Sequence, residues 1–184
     1  MVYLVANSKL RLKSFLNKRN EIFEFKTKLH DLYDKETDLA LGEIFSFIEE
    51  LLNKYPEIIT IEQGGCEEIP DELIGFIKRK TLILNIKPDI KILISCDFIM
   101  IIDDEFQMCG TLHIVNTCNT IKTSRRYVLN ALDSNWYPYN GKAELSTEGM
   151  YNQSIVIVED IIEDLVTLIV NTELKYDNVK LLGV

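Results

Sequence analysis

Few side chains in this chain of 184 residues suit covalent or acid–base chemistry, and their spacing limits what they can do. Histidine occurs only as His30 and His113; cysteine occurs as Cys66, Cys96, Cys109 and Cys118. Cys109 and His113 share parity in a predicted strand, which points them to one face about 13 Å apart. That is too far for a thiol–imidazole pair, and His113 is read as a core or hydrogen-bonded histidine. Cys96, Cys109, His113 and Cys118 are four conceivable zinc ligands. Zinc sites take ligands paired on tight turns, and no C-x-x-C occurs here. No metal or cofactor is therefore expected. A nucleophilic serine would need an elbow such as G-x-S-x-G, which is missing. Phosphate cradles are missing too: neither Gly64-Gly65 nor Asn140-Gly141-Lys142 has glycines at the required spacing.

Acidic and aromatic clusters remain. Asp103-Asp104-Glu105, with Asp97, offers hard oxygen ligands for a divalent cation, and a polar hairpin tip accounts for the same residues. Glu159, Asp160, Glu163 and Asp164 crowd one predicted helix. Trp136-Tyr137-Pro138-Tyr139 sets three rings in four residues among turn formers. Such a segment either covers a core or supplies the aromatic anchors of an interface.

Charge narrows the partners. Twenty basic residues face 29 acidic ones, for a net charge of −9, so most of the surface repels nucleic acid. The imbalance is uneven. Lys9, Arg11, Lys13, Lys18, Arg19, Lys26 and Lys28 lie near the N-terminus, opposed only by Glu21 and Glu24; acids dominate after Asp133. Apolar runs such as Phe98 to Ile102 are far short of the about 20 residues that span a bilayer. With no export signal recognised at the start, the cysteines are expected to be reduced and the chain cytoplasmic.

The elements that must position these residues follow from periodicity. Met1–Ala6 reads as a short strand, followed by helix from about Ser8. Asp38 reads as the N-cap of a helix in which Leu41, Ile44, Phe45, Ile48 and Leu52 share a face, ended by Pro56. Ile58–Ile61 reads as a strand closed by a Gly64-Gly65 turn, and Pro70–Arg79 as a helix with acids in its first turn and cations in its last. Strands are expected over 81–86, 90–102 and 106–117, and again at 154–158. A short helix is expected from 123 or 124 to 132, turns over 133–149, helix over 160–174, and a last strand over 178–184. The sum is one α+β domain, 1–184, with an antiparallel sheet and N-terminal helices on one face.

This combination suggests a non-enzymatic, acidic binding protein, of the inhibitor or immunity type, that neutralises a basic protein partner such as a nuclease toxin. Its contact residues would be the anchors Trp136, Tyr137 and Tyr139 with the acids Asp103, Asp104, Glu105, Glu159, Asp160, Glu163 and Asp164. Two other readings compete: a small enzyme or subunit with an acidic divalent-metal site, and a structural adaptor.

Overall fold

A computed structural model of the chain describes residues 2–72, 75–88, 90–102, 107–117, 123–139 and 154–181. Among the described residues one helix, α1 (Val2–Lys54), leads into seven strands, and a second helix, α2 (Val158–Leu181), follows them. The strands are β1 (Ile59–Asp71), β2 (Gly75–Ile86), β3 (Ile90–Asp97), β4 (Ile101–Ile102), β5 (Gln107–Asn116), β6 (Ser124–Asn130) and β7 (Asn135–Pro138). All pairings are antiparallel, in the order β1-β2-β3-β5-β6-β7, with β4 also on β5. The sheet is thus a meander in which neighbours in space follow one another along the chain.

The expected α+β class holds, and several elements differ. Residues 2–6 are the start of α1, not a strand, and Asp38 lies inside that helix. Between residues 2 and 54 there is no proline and only Gly42 among the glycines, so nothing in the backbone stops the helix. The described residues of Pro70–Arg79 are not helical: β1 runs to Asp71 and β2 starts at Gly75. Glu67 pairs with Arg79 and Glu68 with Lys78 across the ladder; opposite charges facing each other stabilise such a hairpin. Gly64 and Gly65 do not end β1. The register slips between Gln63 and Cys66, and Gly65 takes φ of 59°, which glycine adopts without strain.

Residues 124–130 form a strand rather than a helix, because Tyr127 and Leu129 must face the helices while Val128 faces away. The expected turn region contains β7, closed onto β6 by a tight turn in which Asn135 N–H donates to Asp133 Oδ1 at 3.0 Å. The expected strand at 154–158 reduces to one bridge, Val156 N–H to Trp136 O at 2.9 Å. The region from 178 continues α2 to Leu181, with residues 182–184 outside the described set.

One face of the sheet carries the core. Leu82, Leu84, Ile92, Ile94, Cys96, Leu112, Ile114, Tyr127 and Leu129 point to α1 and α2, which bring Leu29, Tyr33, Ala40, Ile44, Ile48, Ile161, Leu165 and Leu168. On α1 the line Leu29, Tyr33, Thr37, Ala40, Ile44, Ile48 recurs every three or four residues, the spacing of one helix face. Tyr33 is completely buried, and its hydroxyl donates to the Lys78 carbonyl at 3.0 Å. Its ring lies against Gly110, where any Cβ would run into it.

A cation lies beside this contact. Lys80 projects from the helix face of β2 with its side chain 12% exposed. Its ammonium donates to Asp38 Oδ1 at 2.9 Å, to Thr37 Oγ1 and to the Asp34 carbonyl at 3.1 Å, and pairs with Asp34 Oδ1 at 3.0 Å. Burial alone would lower its pKa; the hydrogen bonds to Asp38 and Asp34 outweigh burial and raise it. A raised lysine stabilises the fold at neutral pH and loses that contribution as pH climbs through the folded value.

Two outcomes follow. Gly110→Ala forces Tyr33 to move and should cost about 1–3 kcal/mol, the usual penalty for overpacking, read from urea unfolding. Lys80→Ala leaves Asp34 without its nearest cation. With Asp38 already largely solvated, the loss should be about 2–4 kcal/mol, and Lys80→Met, which keeps the packed stem, should recover part of it.

Candidate functional site

The sheet separates the residues that sequence spacing had grouped. β5 carries a bulge between Met108 and Gly110. It turns Cys109 into the main core with Leu112 and Ile114, while Met108 joins Val128 and Tyr137 on the far face. His113 lies opposite Ser95 and Arg126, on that far face too. Cys109 and His113 therefore do not share a face, contrary to the parity expectation. Cys96 is buried with Cys109, and Cys118 lies outside the described residues. Burial pushes the Cys109 thiol up to about 12 and raises Cys96 as well. Among the described residues no three His, Cys, Asp or Glu side chains converge as metal ligands.

His30 is carried by α1. It sits in the middle of α1, edge-on to Phe98 with ring centroids 5.2 Å apart, and its Nδ1 is 3.6 Å from Asp34 Oδ2. Asp97 lies beside Arg79, which also reaches Glu67 at 3.4 Å. That row of charges crosses the far face of the sheet. Asp103, Asp104 and Glu105 lie outside the described residues.

The aromatic segment divides by strand alternation. Trp136 is 4% exposed and belongs to the main core; Tyr137, 6% exposed, packs with Met108 and Val128, and its hydroxyl donates to Asp133 Oδ2 at 2.6 Å. Both rings are part of the fold's interior, so neither is offered to a partner without disturbing it. Tyr139 is half-buried and carries the Arg126 guanidinium over its ring at 5.7 Å. Of the three rings named from the sequence, Tyr139 alone has a surface to present.

An open cleft lies where β7 stops short of the start of β6. His113, Ser124, Arg125, Arg126, Tyr127, Tyr139 and Asp164 line it, with Pro138. Serine, histidine and aspartate thus border one space, but no hydrogen bond among the described residues links them. Asp164 is instead committed to Tyr127, whose hydroxyl donates to its Oδ2 at 2.5 Å, and to Arg125, whose Nε is 3.5 Å from Oδ1. Burial first, then the Asp164 hydrogen bond, raises the Tyr127 phenol. Burial and the Arg126 charge lower His113, against a weaker pull from Asp97. Among the described residues the cleft therefore holds an imidazole that resists protonation, two guanidiniums and a phenol, none of them an activated nucleophile.

The acids of α2 also divide. Asp160 accepts the Ile157 N–H at 3.0 Å, capping the helix start. Asp164 faces inward, as described. Glu159 and Glu163 are exposed, and neither bonds to another described residue. Val166 and Val170, 37% and 48% exposed, continue their line at intervals of three and four. This outward stripe is acidic at its N-terminal end and apolar at its C-terminal end.

The sequence reading did not anticipate the state of the first half of α1. Every described side chain from Ser8 to Glu24 is exposed, including Leu10, Leu12, Phe15, Leu16, Ile22 and Phe23. The signal was available in the unbroken run without proline and in the spacing of Leu12, Phe15, Arg19, Ile22 and Lys26, which leads without a break into the core line from Leu29.

Comparison with protein-family models, curated proteins and solved structures finds no match. No helix among the described residues is long and apolar enough to cross a membrane.

The lowered His113 has a direct consequence. The unfolded imidazole takes up a proton near pH 6.5, whereas the folded one resists until lower pH. Its contribution to stability is intact above pH 6.5 and declines as pH falls through the folded value. Urea midpoints measured between pH 7 and 5 should fall, and His113→Gln should flatten that part of the profile.

Proposed function

We propose that the chain is a non-enzymatic binding protein of the inhibitor or immunity type, which holds a basic protein on an acidic face. The observation that carries this reading is the outward stripe of α2: Glu159 and Glu163 exposed and unbonded among the described residues, with Val166 and Val170 beside them. Acids steer a basic partner and set its register, and a neighbouring apolar patch supplies contact area. The net charge of −9 adds a long-range attraction of the same sign. A basic nuclease, whose own substrate is a polyanion, has the matching charge. Tyr139, which packs beside the cluster on the far face of the sheet and carries Arg126 over its ring, is a separate aromatic contact.

A second reading rests on the exposed half of α1, whose apolar side chains suit an adaptor that presents one helix to another protein.

The test is capture of a partner from cells of the source, followed by association kinetics at low and high salt. The partner should be basic, and its on-rate should fall as salt shortens the Debye length from about 10 Å at 0.1 M to about 3 Å at 1 M. Glu159→Lys with Glu163→Lys should slow association by about tenfold or more, and Tyr139→Ala should mainly speed dissociation. An acidic partner, or an on-rate indifferent to salt and to both reversals, defeats the reading.

A further inference from the structure

The exposed half of α1 is a continuation of the face that builds the core. Leu12, Phe15, Arg19, Ile22, Lys26, Leu29, Tyr33, Thr37, Ala40, Ile44 and Ile48 form one line with steps of three or four. From Leu29 onward most of that line is buried; from Leu12 to Ile22 it is exposed. Residues 8–24 extend over about 25 Å at 1.5 Å per residue. Leu12, Phe15, Leu16 and Phe23 are 57%, 59%, 53% and 43% exposed. So many large apolar side chains on one short segment are unusual on a monomer's surface and mark a contact.

Charge identifies the occupant. Up to Lys28 the chain carries seven basic and two acidic residues; the remainder carries thirteen and 27. A basic apolar arm is thus attached to a strongly acidic body. Two arms would repel one another if they paired side by side. The arm and the outward face of α2 are complementary. Leu12, Leu16, Arg19 and Phe23 are spaced by four, three and four residues, and so are Glu159, Glu163, Val166 and Val170. Laid antiparallel, Leu12 meets Val170, Leu16 meets Val166 and Arg19 meets Glu163, while Phe23 approaches Glu159 and the exposed Ile157. A parallel arrangement would put Arg19 on Val166. In the same chain the arm is part of one continuous helix, and its side chains remain exposed even though α1 and α2 touch elsewhere.

We infer that the arm of α1 docks antiparallel on the outward stripe of α2 in a second copy of this chain, and that the exchange of two arms closes a two-fold dimer. The same patch pair is used twice, which is what closed symmetry requires. This inference rests on the acidic face of the proposed function and names an occupant for it: the arm holds the stripe by the same charges that a basic partner would use, so such a partner competes with it.

The experiment is sedimentation equilibrium on the full chain across micromolar concentrations, with far-UV circular dichroism to verify that each variant is folded. The expected species has twice the chain mass of 21.3 kDa. Arg19→Glu and Glu163→Arg, both at exposed positions, should each weaken the dimer by about tenfold or more, and the two together should restore it, because opposite charges again face each other. Leu16→Ser should dissociate it with the fold intact. A wild-type chain that stays monomeric at 100 micromolar overturns the inference. So does a dimer indifferent to both charge reversals, or a monomer that sediments with anionic phosphatidylglycerol vesicles through the arm. A monomer that still captures a basic protein through Glu159 and Glu163 overturns the self-docking alone and leaves the proposed function standing.

Discussion

The contact between Lys80 and the middle of α1 fixes where everything else lies. An amine on the inner face of a sheet is costly unless it is paired. Here it has Asp34, Thr37 and Asp38 within 3.1 Å, all on successive turns of one helix. Apolar packing alone would tolerate sliding of the helix by a turn; a directional set of hydrogen bonds does not. Tyr33 makes the same statement sterically, because its ring needs the space above Gly110 and its hydroxyl needs the Lys78 carbonyl. With α1 held at that height, the residues before Phe25 have no sheet beneath them. The exposed arm and the tight core are therefore two results of one registration.

Parts of this architecture were legible in the sequence because periodicity and burial agreed. Ile90, Ile92, Ile94 and Cys96 alternate inward with Lys91, Leu93, Ser95 and Asp97 outward, and Leu41 to Leu52 repeat at helical spacing. The misreadings occurred where local signals pointed one way and tertiary pairing the other. Pro70 followed by acids, with cations at 78–80, resembles a helix with its charges matched to the dipole. The same cations instead pair across a hairpin with acids that precede Pro70, Arg79 with Glu67 and Lys78 with Glu68, and a one-dimensional pattern does not show which acids a cation will face. The segment 124–130 is short enough that its apolar run fits either period.

The candidate site was partly legible for a similar reason. Residue type located the acids of α2, but their roles depend on which side of the helix each occupies. Of the four acids named from the sequence, Asp160 and Asp164 are drawn into capping and into Tyr127, and Glu159 and Glu163 remain for an external contact. The aromatic cluster is also sorted by geometry: strand alternation turns Trp136 and Tyr137 to opposite faces, each into a buried cluster. A bulge of one residue in β5 reverses the parity of Cys109 relative to His113, and no spacing rule anticipates it. Chemistry inferred from neighbours in sequence is therefore least secure in strands, where one inserted residue moves a side chain through the sheet.

The meander has a bearing on how the chain reaches this state. Each strand pairs chiefly with the next, so the sheet assembles from contacts of short sequence separation, which form quickly. Closing α1 onto β5 is different: Tyr33 and Gly110 are far apart along the chain, and α1 is synthesised first. From the moment α1 leaves the ribosome until β5 follows, its entire apolar line lacks the surface that later covers its second half. Helix formation in that interval has little tertiary support, and a long helix of mixed polarity is marginal alone. The nascent chain thus exposes a basic, apolar segment for much of its synthesis. Chaperone demand should therefore be concentrated in the interval between the synthesis of α1 and that of the sheet that shelters Leu29 to Ile48.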